Sequence, residues 1–106
     1  MQKNYLGEFE ELVLLTVAVM NGLAYGVVIT EDLAARTKRG IQISAVHVAL
    51  YRLEEKGLVR SQMGGATKER GGRRKRLFSI TASGKNVLEE IRSIREQLWS
   101  LIPKTI

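Results

Sequence analysis

The chain is 106 residues long, 44% hydrophobic and 26% charged, with one proline and ten glycines. That is room for one domain with a real core plus one appended element, in a composition too apolar for a disordered tail. The absence of cysteine and the single histidine exclude disulfides, thiolate metal centres and imidazole clusters, so no metal and no cofactor are expected. The formal charge is +6, and it is not spread evenly. Residues 1–35 hold one lysine against five carboxylates, residues 36–85 thirteen Lys or Arg against three, and residues 86–106 three of each. A positive field confined to the middle suits an anionic partner met by one face, because cations that neutralise phosphates release condensed counterions. A solvated surface that only keeps the protein soluble accounts for the charge equally well at this point.

Phe9, Leu12, Val13, Thr16, Val17 and Met20 recur at helical spacing between Gly7 and Asn21, and Leu14, Leu15 and Val19 widen the stripe. A first helix, nearly enclosed, is expected there. Its apolar run, Leu12 to Met20, is too short for the roughly 20 residues of a membrane span. Glu8, Glu10 and Glu11 precede it where a secretory signal would carry cations, so the expected location is cytoplasmic, with no membrane partner. Asn21-Gly22 closes the helix. A second runs from about Gly26 to Thr37, with Ile29, Leu33 and Ala34 inward, and Lys38-Arg39-Gly40 breaks it. A third spans about Ile43 to Lys56, with Val46, Ala49, Leu50 and Leu53 inward and Gly57 past its end. Its other side carries Ser44, Ala45, His47, Val48, Tyr51 and Arg52, with no acid before Glu54.

Beyond Gly57 the period changes from helical to alternating. Residues 58–63 and 75–80 read as two strands around a tip with glycine pairs at Gly64-Gly65 and Gly71-Gly72. Lys68, Arg70, Arg73, Arg74, Lys75 and Arg76 crowd that tip against one acid, Glu69. Thr81 and Gly84 open a last helix in which Val87, Ile91, Ile94, Leu98 and Leu101 recur at four- and three-residue steps, and Pro103 stops it.

Three helices and a basic hairpin imply a mostly α fold with a small β-hairpin, a winged helix-turn-helix over residues 1–84. The helix of residues 85–106 is expected to pair two copies. In that arrangement the third helix enters a major groove, where side chains distinguish base pairs, and the wing meets phosphates. The candidate DNA contacts are Lys38, Arg39, Ser44, Ala45, His47, Val48 and Tyr51, with Lys68, Arg70, Arg73, Arg74 and Lys75 from the wing.

Tyr25-Gly26-Val27-Val28-Ile29, then Ala45-Val46-His47 leading to Leu50-Tyr51-Arg52-Leu53-Glu54-Glu55-Lys56-Gly57-Leu58, then Gly71-Gly72-Arg73-Arg74-Lys75-Arg76 before Thr81 and Gly84, closely resemble the PadR family of regulators. The resemblance covers residues 7–85. It implies a dimeric repressor binding double-stranded DNA at an inverted repeat, with a single C-terminal helix for dimerisation. Ser44-Ala45-Val46-His47 departs from the family's usual Gly-Thr-Leu-Tyr or Gly-Ala-Val-Tyr, so His47 stands at the usual tyrosine position and the operator contact there differs. The resemblance also implies that some short members bind planar aromatic ligands between paired tryptophans, which makes Trp99 the candidate contact for a small aromatic effector.

The C-terminal stripe suits either a helix folded back on its own domain or a seam with a second chain. The dimer reading assigns Val87, Ile91, Ile94, Leu98, Trp99 and Leu101 to that seam. An enzyme is not expected, because one histidine and no cysteine assemble no nucleophile-base set. Ser83-Gly84-Lys85 does not make a phosphate loop, since Ser79 stands where that loop requires glycine. The alternative to a sequence-specific regulator is a winged-helix module that binds protein or RNA.

Overall fold

The computed structural model describes residues 6–64 and 74–105. Its elements run α1 (Glu8–Met20), α2 (Gly26–Thr37), α3 (Ile43–Glu55), β1 (Val59–Met63), β2 (Arg76–Ile80) and α4 (Ala82–Leu101). The expected mostly α fold with a small hairpin is what forms, and each helix boundary lies within a residue or two of where turn and capping signals put it. Asn21 (φ 51°) and Lys38 (φ 58°) take left-handed backbone at the ends of α1 and α2. Gly57 does so after α3 at φ 77°, a conformation that costs a residue without Cβ nothing.

The core is built from one face of each element. Val13, Leu14 and Val17 of α1, Ile29 and Leu33 of α2 and Val46, Ala49, Leu50 and Leu53 of α3 interlock, and Leu58, Val59 and Phe78 from the hairpin close the layer. The hairpin pairs antiparallel from Val59 opposite Ile80 to Met63 opposite Arg76, and the Gly64 N–H donates to the Lys75 carbonyl at 2.6 Å to carry the pairing one step further. Ala24 joins its edge, accepting a bond from the Phe78 N–H at 2.8 Å, so the turn before α2 is stitched to the wing.

The nearly enclosed α1 expected from its apolar count is not what forms. Leu15 is 41% exposed and Val19 71% exposed. Two layers of a small domain surround only one side of a helix, and these residues fall on the opposite side, facing outward. The α4 helix is rooted firmly and then leaves. The Thr81 hydroxyl caps it by accepting from the Gly84 N–H at 3.0 Å, while donating to the Gly57 carbonyl at 2.7 Å; the Thr81 N–H donates to the Leu58 carbonyl at 3.0 Å. A Cβ on Gly84 would collide with the Leu58 carbonyl oxygen, so only glycine lets α4 lie this close to β1. Past Ile91 every α4 residue is exposed. The radius of gyration, 15.9 Å, exceeds the roughly 13 Å of a compact chain of this length, as a projecting helix requires.

Candidate nucleic-acid interface

The α3 helix separates its two sides cleanly. Val46, Ala49, Leu50 and Leu53 are buried, and Ser44, Ala45, His47, Val48, Tyr51 and Arg52 are all exposed. The outward side offers hydroxyls, an imidazole, a phenol and small apolar groups, the set that reads base edges and thymine methyls. Gln42 takes the N-cap position without a side-chain cap bond, and no acid lies in the first turn. The N-terminal half of α3 therefore presents unsatisfied N–H groups and positive helix-dipole character outward.

The start of α2 is where α3 and the wing meet. The His47 imidazole rests on Gly26, and the Lys75 ammonium lies 4.4 Å from the centre of the neighbouring Tyr25 ring and donates to the Tyr25 hydroxyl at 3.2 Å. Tyr25 thus holds a wing cation in place by its π face and its oxygen together. Tyr25 was not among the candidate contacts, although it opens the first of the quoted motifs. Its partner is fifty residues away, and nothing in local spacing signals that meeting.

The other candidates divide. Arg74 is exposed, and among the described residues neither it nor Lys38 forms an ion pair. Arg39 is exposed but bonded to Glu8 at 2.8 Å. Lys68, Arg70 and Arg73 lie outside the described residues. Arg76, a hairpin cation outside the candidate contacts, donates to the Ser61 hydroxyl at 3.0 Å, which in turn donates to Glu54 at 2.7 Å, bracing the wing against the end of α3. The carboxylates of α1 fold onto the cations of other elements: Glu10 pairs with Lys56 at 2.9 Å and with Arg52 at 4.0 Å, and Glu11 with Arg95 at 2.8 Å. The acidic first third of the chain thereby pairs with cations beside the C-terminal half of α3 and, through Glu8, with Arg39 ahead of its N-terminus.

The residues assigned to the seam of α4 also split. Val87 is 5% exposed and part of the domain's own core, and Ile91 is half-buried against it, so these two are used within the chain. The heptad-like spacing gave one stripe and could not tell which partner covers each part of it. Ile94, Leu98, Trp99 and Leu101 are exposed, Trp99 by 73%. Between α1 and α4 runs a groove of about 650 Å³ lined by Leu15, Ala18, Ile80, Leu88 and Trp99, with Arg and Glu side chains at its rim. Among the described residues no cluster of side chains could hold a metal ion, and no helix is long and apolar enough to cross a membrane.

Comparison with known proteins agrees with this architecture. Comparison with curated proteins gives no match. Among solved structures, a PadR-like transcriptional regulator from Bacillus cereus superposes with a TM-score of 0.71 at 16% identity, covering 89% of this chain and 86% of that one. A PadR family transcription regulator from Clostridium difficile gives 0.65 at 24% identity, over 92% and 93% of the two chains. One from Eggerthella lenta gives 0.67 at 24% identity, over 88% and 80%. At these identities the likeness speaks for the winged-helix fold. The family itself follows from the sequence, because the model of the transcriptional regulator PadR-like family matches residues 14–90. With an acid-free outer side exposed on α3, a wing cation held at the start of α2 and that match across most of the length, the chain belongs to the PadR-like family of transcriptional regulators, which are DNA-binding proteins and not enzymes.

Proposed function

We propose that this protein is a homodimeric repressor in the cytoplasm that recognises an inverted-repeat operator in double-stranded DNA. The observation that carries the reading is the exposed outer side of α3, free of acids across Ser44, Ala45, His47, Val48 and Tyr51, set beside the Lys75 ammonium. In this reading those five residues select sequence in the major groove. Lys38, Arg39, Arg74 and Lys75, with Lys68, Arg70 and Arg73 of the wing tip, hold the phosphate backbone. Residues 1–84 form the DNA-reading body and residues 85–106 the pairing helix. Ile94, Leu98, Trp99 and Leu101 meet their counterparts on a second copy, which takes an aliphatic and aromatic surface out of water. The two α3 helices then enter successive major grooves about 34 Å apart, and repression follows from occlusion of a promoter.

The test is selection of bound duplexes from a random pool at fixed salt. Recovery of inverted repeats with half-sites one helical turn apart is expected; recovery of sequences without symmetry would remove the dimeric operator, and binding to single-stranded RNA in preference to duplex DNA would favour the interaction-module reading. A second role for Trp99, as the stacking surface for a planar aromatic effector, is favoured by its exposure at the rim of the α1–α4 groove. Titration with a planar cationic dye checks it: quenching of the single tryptophan at micromolar dye is expected, and unchanged fluorescence leaves only the anchoring role.

A further inference from the structure

We infer that Gly26 is a positioning residue for sequence reading: lacking a side chain, it seats the His47 imidazole against the start of α2 and so fixes where His47 meets a base pair. The inference rests on the DNA-binding reading above and adds to it a residue that touches no DNA.

A Cβ built on Gly26 has three ring atoms of His47 as its nearest neighbours, Cε1 at 2.7 Å, Nε2 at 3.1 Å and Nδ1 at 3.5 Å. The first of these is closer than real Cβ atoms come to any heavy atom, so a side chain at position 26 and the ring in its present place are mutually exclusive. His47 is exposed and Gly26 is buried, so the ring is the part that moves. Nothing else at position 26 calls for glycine. It is the first residue of α2 and is not among the residues with positive φ, and alanine is the better helix former. The space is kept for the imidazole.

The ring is held by contact alone. Among the described residues neither nitrogen of His47 has a hydrogen-bond partner, although both flank the ring atom nearest Gly26. Hydrogen bonds to base edges weaken steeply outside a narrow window of distance and angle, so a displaced ring loses its base. Position 47 is also where this sequence departs from the tyrosine of the family it belongs to. An imidazole is shorter than a phenol, and here its reach is set by how deeply it sits over α2.

The experiment compares selected duplexes for four proteins: wild type, Gly26→Ala, His47→Ala and the double variant. His47→Ala identifies the base pair read by position 47. Gly26→Ala is expected to lose preference at that same base pair by about fivefold or more, while preferences at the other positions and the salt dependence of binding stay as in wild type. In the His47→Ala background, Gly26→Ala is expected to change nothing, because the group it displaces is gone. The free protein supplies a second readout. Its single histidine gives one imidazole Hε1 resonance, and Gly26→Ala is expected to shift it. If Gly26→Ala selects the wild-type sequences, or alters preference equally without His47, the positioning role is overturned. If the resonance moves but wild type binds no duplex at all, it is the DNA-binding reading that has failed, and the base-reading role falls with it.

Discussion

Both α3 and the outer half of α4 withhold a side from the core, and the two sides differ in kind. On α3 the withheld side carries a serine, a histidine and a tyrosine among small apolar groups, and among the described residues the nearby Lys38 and Arg74 form no ion pair. On α4 it carries Ile94, Leu98, Trp99 and Leu101, with Arg92 and Glu96 3.9 Å apart beside them. A polar, cation-flanked side gains little by leaving water for protein but much by meeting a phosphate-lined groove. An aliphatic and aromatic side with self-compensating charges gains by meeting its own kind. One chain thus displays two surfaces of different chemistry, and in the proposed function each has its own partner and can be damaged without the other.

The largest effect is expected at the outer half of α4. Leu98→Asp should abolish the dimer and lower operator affinity at least a hundredfold, because a central apolar anchor is worth about 2 kcal/mol or more per copy and a carboxylate opposes a carboxylate across the axis. Sedimentation equilibrium and a binding titration check it, and a wild-type protein already monomeric at micromolar concentration would break the comparison outright. Gly84→Ala, at the inner end of the same helix, should instead cost about 1–3 kcal/mol of folding stability through its clash with the Leu58 carbonyl, read as a lowered thermal midpoint. On α3, Tyr51→Ala should leave folding and dimerisation intact and relax preference at one base pair by about 1–3 kcal/mol, seen in competition with single-base operator variants. Arg74→Ala should weaken binding to all duplexes alike and reduce the log-log salt slope by about 0.9. The smallest effect is expected from Glu8→Gln, which releases Arg39 from an exposed ion pair worth under about 1 kcal/mol and so raises duplex affinity by no more than a fewfold in low salt.

What the sequence made legible was whatever depends on neighbours along the chain. The α2 and α3 limits, the inward quartet of α3 and the Thr81 cap follow from periodicity and capping chemistry, which act within a few residues. Contacts across long separations were not legible. That Glu8 reaches Arg39, Glu10 reaches Lys56 and Glu11 reaches Arg95 is set by how α1 lies across the bundle, and a charge count cannot assign partners. The same holds for Lys75 over Tyr25 and for His47 over Gly26. Val87 and Leu98 look alike as apolar residues on one stripe, yet one is covered by the hairpin domain and the other is not, because α4 outruns the body it is rooted on.

The root at Thr81 has a mechanical corollary. Two hydrogen bonds from Thr81, to the Gly57 and Leu58 carbonyls, clamp the base of a twenty-residue helix to the turn that leads into the wing. A rod of that length is about 30 Å long, so a swing of about 10° at the clamp carries its tip about 5 Å. In a pair joined through their tips the lever works in reverse: a small shift in how the two rods cross re-aims both heads and alters the gap between them, so that grip on an operator could be released from far away without disturbing a single residue that touches a base.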